Sequence, residues 1–147
     1  MEPNELILTV GLPRSGKSTW AIAQGLPVVN PDAIRLALHG QAFLKDAEEM
    51  VWAIAMYMVK ALFLAGHGKV ILDATNTTKA RRDKWINPSL WDVSLKVFRT
   101  SPTTCIERAK DCGREDLIPI IQGMNEKADF WNLMENEGDA FIYRYCG

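Results

Sequence analysis

Cysteine, histidine and net charge are all scarce in this chain of 147 residues, and each scarcity excludes something. Its three cysteines, Cys105, Cys112 and Cys146, are odd in number and form no Cys-x-x-Cys pair, which argues against both a disulfide framework and a zinc site. A reducing cytoplasm is the expectation. The two histidines, His39 and His67, each stand beside a glycine at an expected helix end, a place suited to capping rather than to metal or acid–base work. With 17 Lys and Arg against 18 Asp and Glu the net charge is −1, so composition makes no case for a nucleic-acid or membrane partner. An anionic substrate would have to be met by a local basic patch. The opening segment Met1-Glu2-Pro3-Asn4-Glu5 lacks the positive charge of a secretory leader. The apolar stretch from Val51 to Ala65 is too short for a bilayer span and carries Lys60. It reads as a largely buried helix, with Trp52 and the methionines as core filling. No repeat, low-complexity tract or linker appears, and with 48% hydrophobic residues the chain is expected to form a single domain over residues 1–147.

What is present is an alternation. Leu6–Val10, Val28–Val29, Val70–Leu72 and Val93–Phe98 read as strands, with helical patterns between them, and this predicts an α/β fold with a parallel sheet covered by helices on both faces. Helices are expected from the glycine-rich segment to about Gly25, and from Asn30-Pro31 to His39-Gly40, with proline in the first turn. Further helices are expected over about Ala42–Ala65, Thr78–Ile86, Ser101–Lys110 and Leu117–Met134, with a short strand over Ala140–Tyr145.

Directly after the first strand stands Gly11-Leu12-Pro13-Arg14-Ser15-Gly16-Lys17-Ser18, continued by Thr19. Strand before, helix after and this spacing of two glycines, lysine and serine make a phosphate-binding loop. Backbone N–H groups of Gly11, Pro13 to Gly16 and Thr19, proline excepted, line such a loop. Lys17 can bridge the β- and γ-phosphates of a bound ATP, and the Ser18 hydroxyl can ligate Mg²⁺. After the second strand, Asp32 and Arg35 lie one helical turn apart, so one face offers a base for an attacking hydroxyl and a cation for a phosphate. An Asp–Arg surface pair is the plainer alternative. Asp73, ending the third strand, can hold Mg²⁺ through water, or can simply close the strand in an Asx turn. Lys79, Arg81, Arg82 and Lys84 form either a solvated helix face or a rim for a polyanion. Around the glycine break at Gly113, Arg108 and Arg114 can close over a triphosphate, or can belong to an ordinary helix connection.

The ordered set carries more than its members. Gly11–Ser18 with Thr19-Trp20-Ala21, then Asn30-x-Asp32-x-x-Arg35, then Asp73-x-Thr75-Asn76 followed by Arg81-Arg82, resembles the kinase domain of bacteriophage-type polynucleotide 5′-hydroxyl kinases over about residues 5–130. The resemblance implies a P-loop kinase of the adenylate-kinase-like group, a three-layer sandwich with a short helical lid, that transfers the γ-phosphate of ATP to a nucleic-acid 5′-hydroxyl with Mg²⁺. By that likeness Lys17 and Ser18 bind phosphates and metal, Asp32 activates the hydroxyl, and Arg35, Thr75, Asn76, Arg81 and Arg82 meet the substrate. The family's lid arginine falls on Cys112, which leaves Arg108 and Arg114, and the position next to Gly113 favours Arg114. No Asp-x-Asp-x-Thr or Asp-x-Asp-x-Val segment occurs, so a 3′-phosphatase activity is not expected. Two other readings stay open at this stage. One is a kinase of a small alcohol such as a nucleoside, sugar or zeta-toxin-type substrate; the other is a nucleotide-dependent binding factor in RNA processing.

Overall fold

The computed structural model describes residues 2–40, 44–133 and 142–146. Five strands form one sheet: β1 (Glu5–Val10), β2 (Val28–Val29), β3 (Lys69–Leu72), β4 (Asp92–Val97) and β5 (Ile142–Tyr145), in the order β2-β3-β1-β4-β5. The first four are parallel, with Leu6 opposite both Val70 and Val93. The fifth is antiparallel to β4, Val93 pairing with Tyr145, so the sheet is mixed rather than wholly parallel. Local pattern fixes which residues extend but not their direction. Direction follows from where the chain stands beforehand: the Asp129 N–H bonds to the Thr77 carbonyl, and Arg99 reaches the Trp131 carbonyl, both beyond the carboxyl ends of strands. A strand entered from that end runs back against its neighbour.

Strand alternation sorts the side chains. Leu6, Leu8, Val10, Val70, Leu72, Val93, Leu95 and Val97 pack with one set of helices, α2 (Pro31–His39), α3 (Glu48–Leu64), α5 (Pro102–Asp111) and α6 (Ile118–Lys127). Ile7 and Ile71 turn the other way, onto Ala21 of α1 (Lys17–Ala23). This is the period of two expected of strands, and it places helices on both faces as the alternation of elements requires. A short helix, α4 (Lys79–Asp83), follows β3.

Three elements depart from expectation. The long helix begins at Glu48, after a 3-10 turn over Lys45–Ala47, and only Val51, Ala55 and Val59 are fully buried; Tyr57 and Leu64 are 76% and 89% exposed. One face of an apolar helix therefore lies open. Its expected start at Ala42 falls outside the described residues. Helix α4 stops at Asp83 rather than Ile86, because Trp85 turns into the core and its carbonyl accepts the Trp91 indole N–H at 2.8 Å. Helix α6 stops at Lys127, because Asp129 is drawn away to the N-terminus of α4 and Phe130 is fully buried. Burial of one aromatic outweighs a few more residues of weak helix propensity. Met134, the expected end of that helix, lies outside the described residues. Among the described residues no helix is long and apolar enough to cross a membrane.

Candidate active site

The carboxyl ends of β1, β2 and β3 converge, and the residues singled out from the sequence gather there. The loop after β1 packs too closely to admit a side chain at its first position: a Cβ on Gly11 would stand 2.7 Å from Ser15 Oγ and 3.0 Å from Phe98 Cβ. The Gly11 N–H donates to the Thr75 carbonyl at 2.9 Å, joining the loop to the turn after β3. Arg14 and Gly16 both have positive φ, 68° and 104°, which curls the chain back into α1. Successive N–H groups can then turn to a common centre, as a phosphate cradle needs. Outside the loop, the Thr100 hydroxyl donates to the Ser15 carbonyl at 2.9 Å and Arg108 donates to the Arg14 carbonyl at 3.2 Å.

Lys17 lies under this loop, 8% exposed, with Nζ donating to the Leu12 carbonyl at 2.7 Å. Burial pulls its pKa down to about 8, against the opposing pull of Asp73. A phosphate placed on Nζ would raise that value again, so triphosphate binding near pH 8 should be coupled to proton uptake. Calorimetry of ATP binding at pH 8.5, on the order of half a unit above that pKa, in buffers of differing ionisation enthalpy should show net uptake that Lys17→Met abolishes. Uptake unchanged in the variant would assign the proton elsewhere. Without nucleotide the sign for stability is also fixed. The folded pKa is depressed below the unfolded value, so the unfolded chain binds more protons between about 8 and 10.5, and this lysine's contribution to stability rises with pH across that window.

Asp73 is buried and its Oδ2 is held by two donors, Ser18 Oγ at 2.6 Å and Asn30 Nδ2 at 3.2 Å; the Thr9 hydroxyl stands 3.3 Å from Oδ1 but closer, at 2.8 Å, to the Ala74 carbonyl. A hydroxyl and a carboxylate so close are hard oxygen donors, the type Mg²⁺ selects, and Mg²⁺ needs only one or two protein ligands when phosphates supply the rest. The donor set therefore fits that ion.

Beside the cradle, Asn30 caps α2 and presents Asp32, whose side chain is 73% exposed and pairs with Arg35 Nη1 at 2.6 Å. Arg35 is gripped on its other edge by Glu48, Nε to Oε2 at 2.9 Å and Nη2 to Oε1 at 2.7 Å. Burial works against its charge, but these carboxylates raise its pKa. Both Arg35 and Arg81 lie over Trp52, at 5.8 and 4.1 Å from the ring centroid. Trp52, expected as core filling, packs on the core and also carries two guanidinium groups. Neither Glu48 nor Trp52 was distinguishable in the sequence, since both sit in an apolar helix without a motif. Asn30 could have been found as the cap, but not as a ligand of Asp73.

Two expected substrate residues are placed inside the protein. Arg82 is 2% exposed and donates to the Asn76 carbonyl at 3.0 Å and to Asp129 at 2.8 Å. Successive helical residues point about 100° apart, so Arg81 turns to Trp52 while Arg82 turns inward. Asn76, 1% exposed with φ 45°, donates to the Thr9 carbonyl at 2.9 Å and braces β1 against β3. Lys79 pairs with Asp83, and Lys84 is exposed. At the α5–α6 break, exposed Arg114 is bound on Nε and Nη2 by Asp116 at 3.0 and 3.1 Å, whereas Arg108 touches the loop.

Comparison with known proteins places the fold. A family model described as "AAA domain" matches residues 6–120. A chain in the structure of a Pnkp1/Rnl/Hen1 complex is 29% identical, with TM-score 0.67, the alignment covering 74% of this chain and 40% of that one. A chain in the Pnkp1/Rnl/Hen1 RNA repair complex is 22% identical with TM-score 0.66, covering 88% and 48%. A gluconokinase from Sinorhizobium meliloti is 22% identical with TM-score 0.57, covering 86% and 75%. The chain thus spans less than half the length of the two Pnkp1/Rnl/Hen1 chains it matches, and its fold is that of P-loop kinases.

Proposed function

From a chain that belongs to this AAA-domain family and folds as a polynucleotide-kinase-type P-loop domain, we propose an ATP-dependent kinase of polynucleotide 5′-hydroxyl ends. The observation that carries the proposal is the group at the lip of the cradle. There the exposed carboxylate of Asp32 stands beside Arg35, and Arg35 and Arg81 share the Trp52 ring. A base for one hydroxyl, flanked by guanidinium groups that suit phosphodiesters, is more than a neutral alcohol requires.

Each residue then has a step. The loop N–H groups and Lys17 bind the β- and γ-phosphates and neutralise charge that builds on the β–γ bridging oxygen. Asp32 accepts the proton of the 5′-hydroxyl as its oxygen bonds to the γ-phosphorus and the bond to ADP breaks. Arg35, oriented by Glu48, holds a neighbouring substrate phosphate, with Arg81 reinforcing the field. Ser18 and Asp73 would hold Mg²⁺, which supplies charge neutralisation across the triphosphate. The setting proposed is cytoplasmic.

The test is a panel of 5′-hydroxyl DNA and RNA oligomers, nucleosides and sugars, incubated with γ-labelled ATP. Oligomers should be labelled best, and their apparent KM should rise steeply with salt as phosphate contacts weaken. A salt-independent KM, or faster turnover of a nucleoside or sugar, would overturn the polynucleotide assignment in favour of a small-alcohol kinase. The gluconokinase and a Mycobacterium tuberculosis APS kinase, 18% identical with TM-score 0.56, show that this fold serves such substrates. ATP binding with no transfer at all would leave a binding factor.

A further inference from the structure

We propose that Asn30 is a positioning residue that fixes the Asp73 carboxylate and ties it to the helix presenting Asp32 and Arg35. The proposal rests on the reading of Ser18 and Asp73 as the Mg²⁺ side of a phosphotransferase site.

The backbone brings the two residues together. Val29 pairs with Leu72 in parallel register and the Asp73 N–H donates to the Val29 carbonyl at 2.9 Å, so the next residues along, Asn30 and Asp73, leave the sheet side by side. The amide of Asn30 is then used at both ends. Its Oδ1 accepts the N–H groups of Asp32 at 2.8 Å and Ala33 at 3.3 Å, the cap that starts α2. With the acceptor end committed to the helix, the NH₂ end has to point away, and it meets Asp73 Oδ2 at 3.2 Å.

The other donor on Asp73 Oδ2 is a hydroxyl, Ser18 Oγ at 2.6 Å, and the Thr9 hydroxyl near Oδ1 lies closer to the Ala74 carbonyl, 2.8 against 3.3 Å. A hydroxyl reorients by rotating about one bond, and Ser18 has to give a lone pair to the cation in the proposed reaction. Asn30 cannot rotate without uncapping α2. It therefore holds Asp73 in place when Ser18 is occupied. Capping alone does not require an amide: aspartate and serine cap as well, and glycine nearly so. What aspartate lacks is the donor. A cap and a carboxylate ligand in one side chain is what distinguishes asparagine here.

The experiment measures ADP affinity by calorimetry in EDTA and in saturating Mg²⁺, together with the melting temperature, for wild type, Asn30→Gly and Asn30→Ser. Glycine removes the donor with little loss of capping. Serine caps fully through its oxygen, and its O–H, on a shorter side chain, does not reach the place where Nδ2 stood. Both variants should melt near wild type and bind ADP normally in EDTA, but the strengthening of ADP binding by Mg²⁺ should fall about tenfold, as for other outer-shell partners. Adding Asn30→Gly to Asp73→Asn should produce no further loss. Wild-type strengthening in either folded variant, or additive losses in the double variant, would overturn the positioning role and leave a helix cap. No strengthening by Mg²⁺ in wild type would instead overturn the reading of Ser18 and Asp73, and the proposal with it.

Discussion

In Asp32→Asn, turnover should fall by a factor on the order of 10² to 10⁴, the loss expected for a missing general base, while ATP affinity stays within about twofold of wild type. The side chain is exposed and hydrogen-bonds to Arg35, and its charge is the last of the influences on the loop lysine Lys17, so amidation changes chiefly the proton acceptor. Its pair with Arg35 is a surface contact, and Glu48 keeps the guanidinium bound at two points when Asp32 is neutral. Exposed pairs contribute about 1 kcal/mol or less, so folding should be nearly unaffected. Lys17→Ala is the contrast. It should also abolish turnover, but with a marked loss of ATP affinity, because Lys17 is buried beneath the phosphate cradle. Single-turnover rates and equilibrium ATP binding, measured on both variants, separate the two roles. Equal loss of ATP binding in both would remove Asp32 from catalysis.

Arg108→Ala should lower turnover by a factor on the order of 10², with a smaller effect on ATP affinity, the signature of an interaction made mainly in the transition state. The residue lies on α5 with Nη1 on the Arg14 carbonyl at 3.2 Å. It already touches the outer wall of the loop, which places a guanidinium beside the phosphate cradle. Arg114 starts from a different position. Exposed and held at two points by Asp116, it has to leave a carboxylate before it can reach anything, so Arg114→Ala should change turnover less than Arg108→Ala does. The Gly113 position that favours Arg114 from sequence describes the freedom of the chain, not the partner its side chain finds. Turnover and ATP affinity of the two alanine variants, compared side by side, check the order. Wild-type turnover in Arg108→Ala with a tenfold loss in Arg114→Ala would return the lid role to Arg114.

Much of the site was legible because its parts are short-range. The loop depends on glycines at fixed offsets and on a strand and helix either side, all within the reach of local rules. Asp32, Arg35 and Asp73 follow strands that announce themselves as apolar runs, and the ends of those runs place their neighbours at one edge of the sheet. What stayed hidden involves partners far along the chain. The bond from Glu48 to Arg35 and the two guanidinium groups on Trp52 join residues of α2, α3 and α4, and no spacing rule connects them. Arg81 and Arg82 look alike in sequence. Their opposite fates come from the rotation of one residue on a short helix whose orientation is set by the Arg82–Asp129 pair.

By itself, then, the sequence determined the strand and helix succession, the phosphate loop and the acid-bearing strand ends, since periodicity and turn chemistry act between near neighbours. The tertiary structure alone decided the direction of β5, the early ends of α4 and α6, the burial of Arg82 and Asn76, and the choice of Arg108 as the cation on the loop. In those cases the deciding energy is a contact made in the folded chain: a buried aromatic such as Phe130, an amide such as that of Asn76 on the Thr9 carbonyl, or a guanidinium meeting one carboxylate or carbonyl rather than another. Such contacts exist only once the sheet has brought the segments together, and they outweigh the small local preferences that a sequence displays.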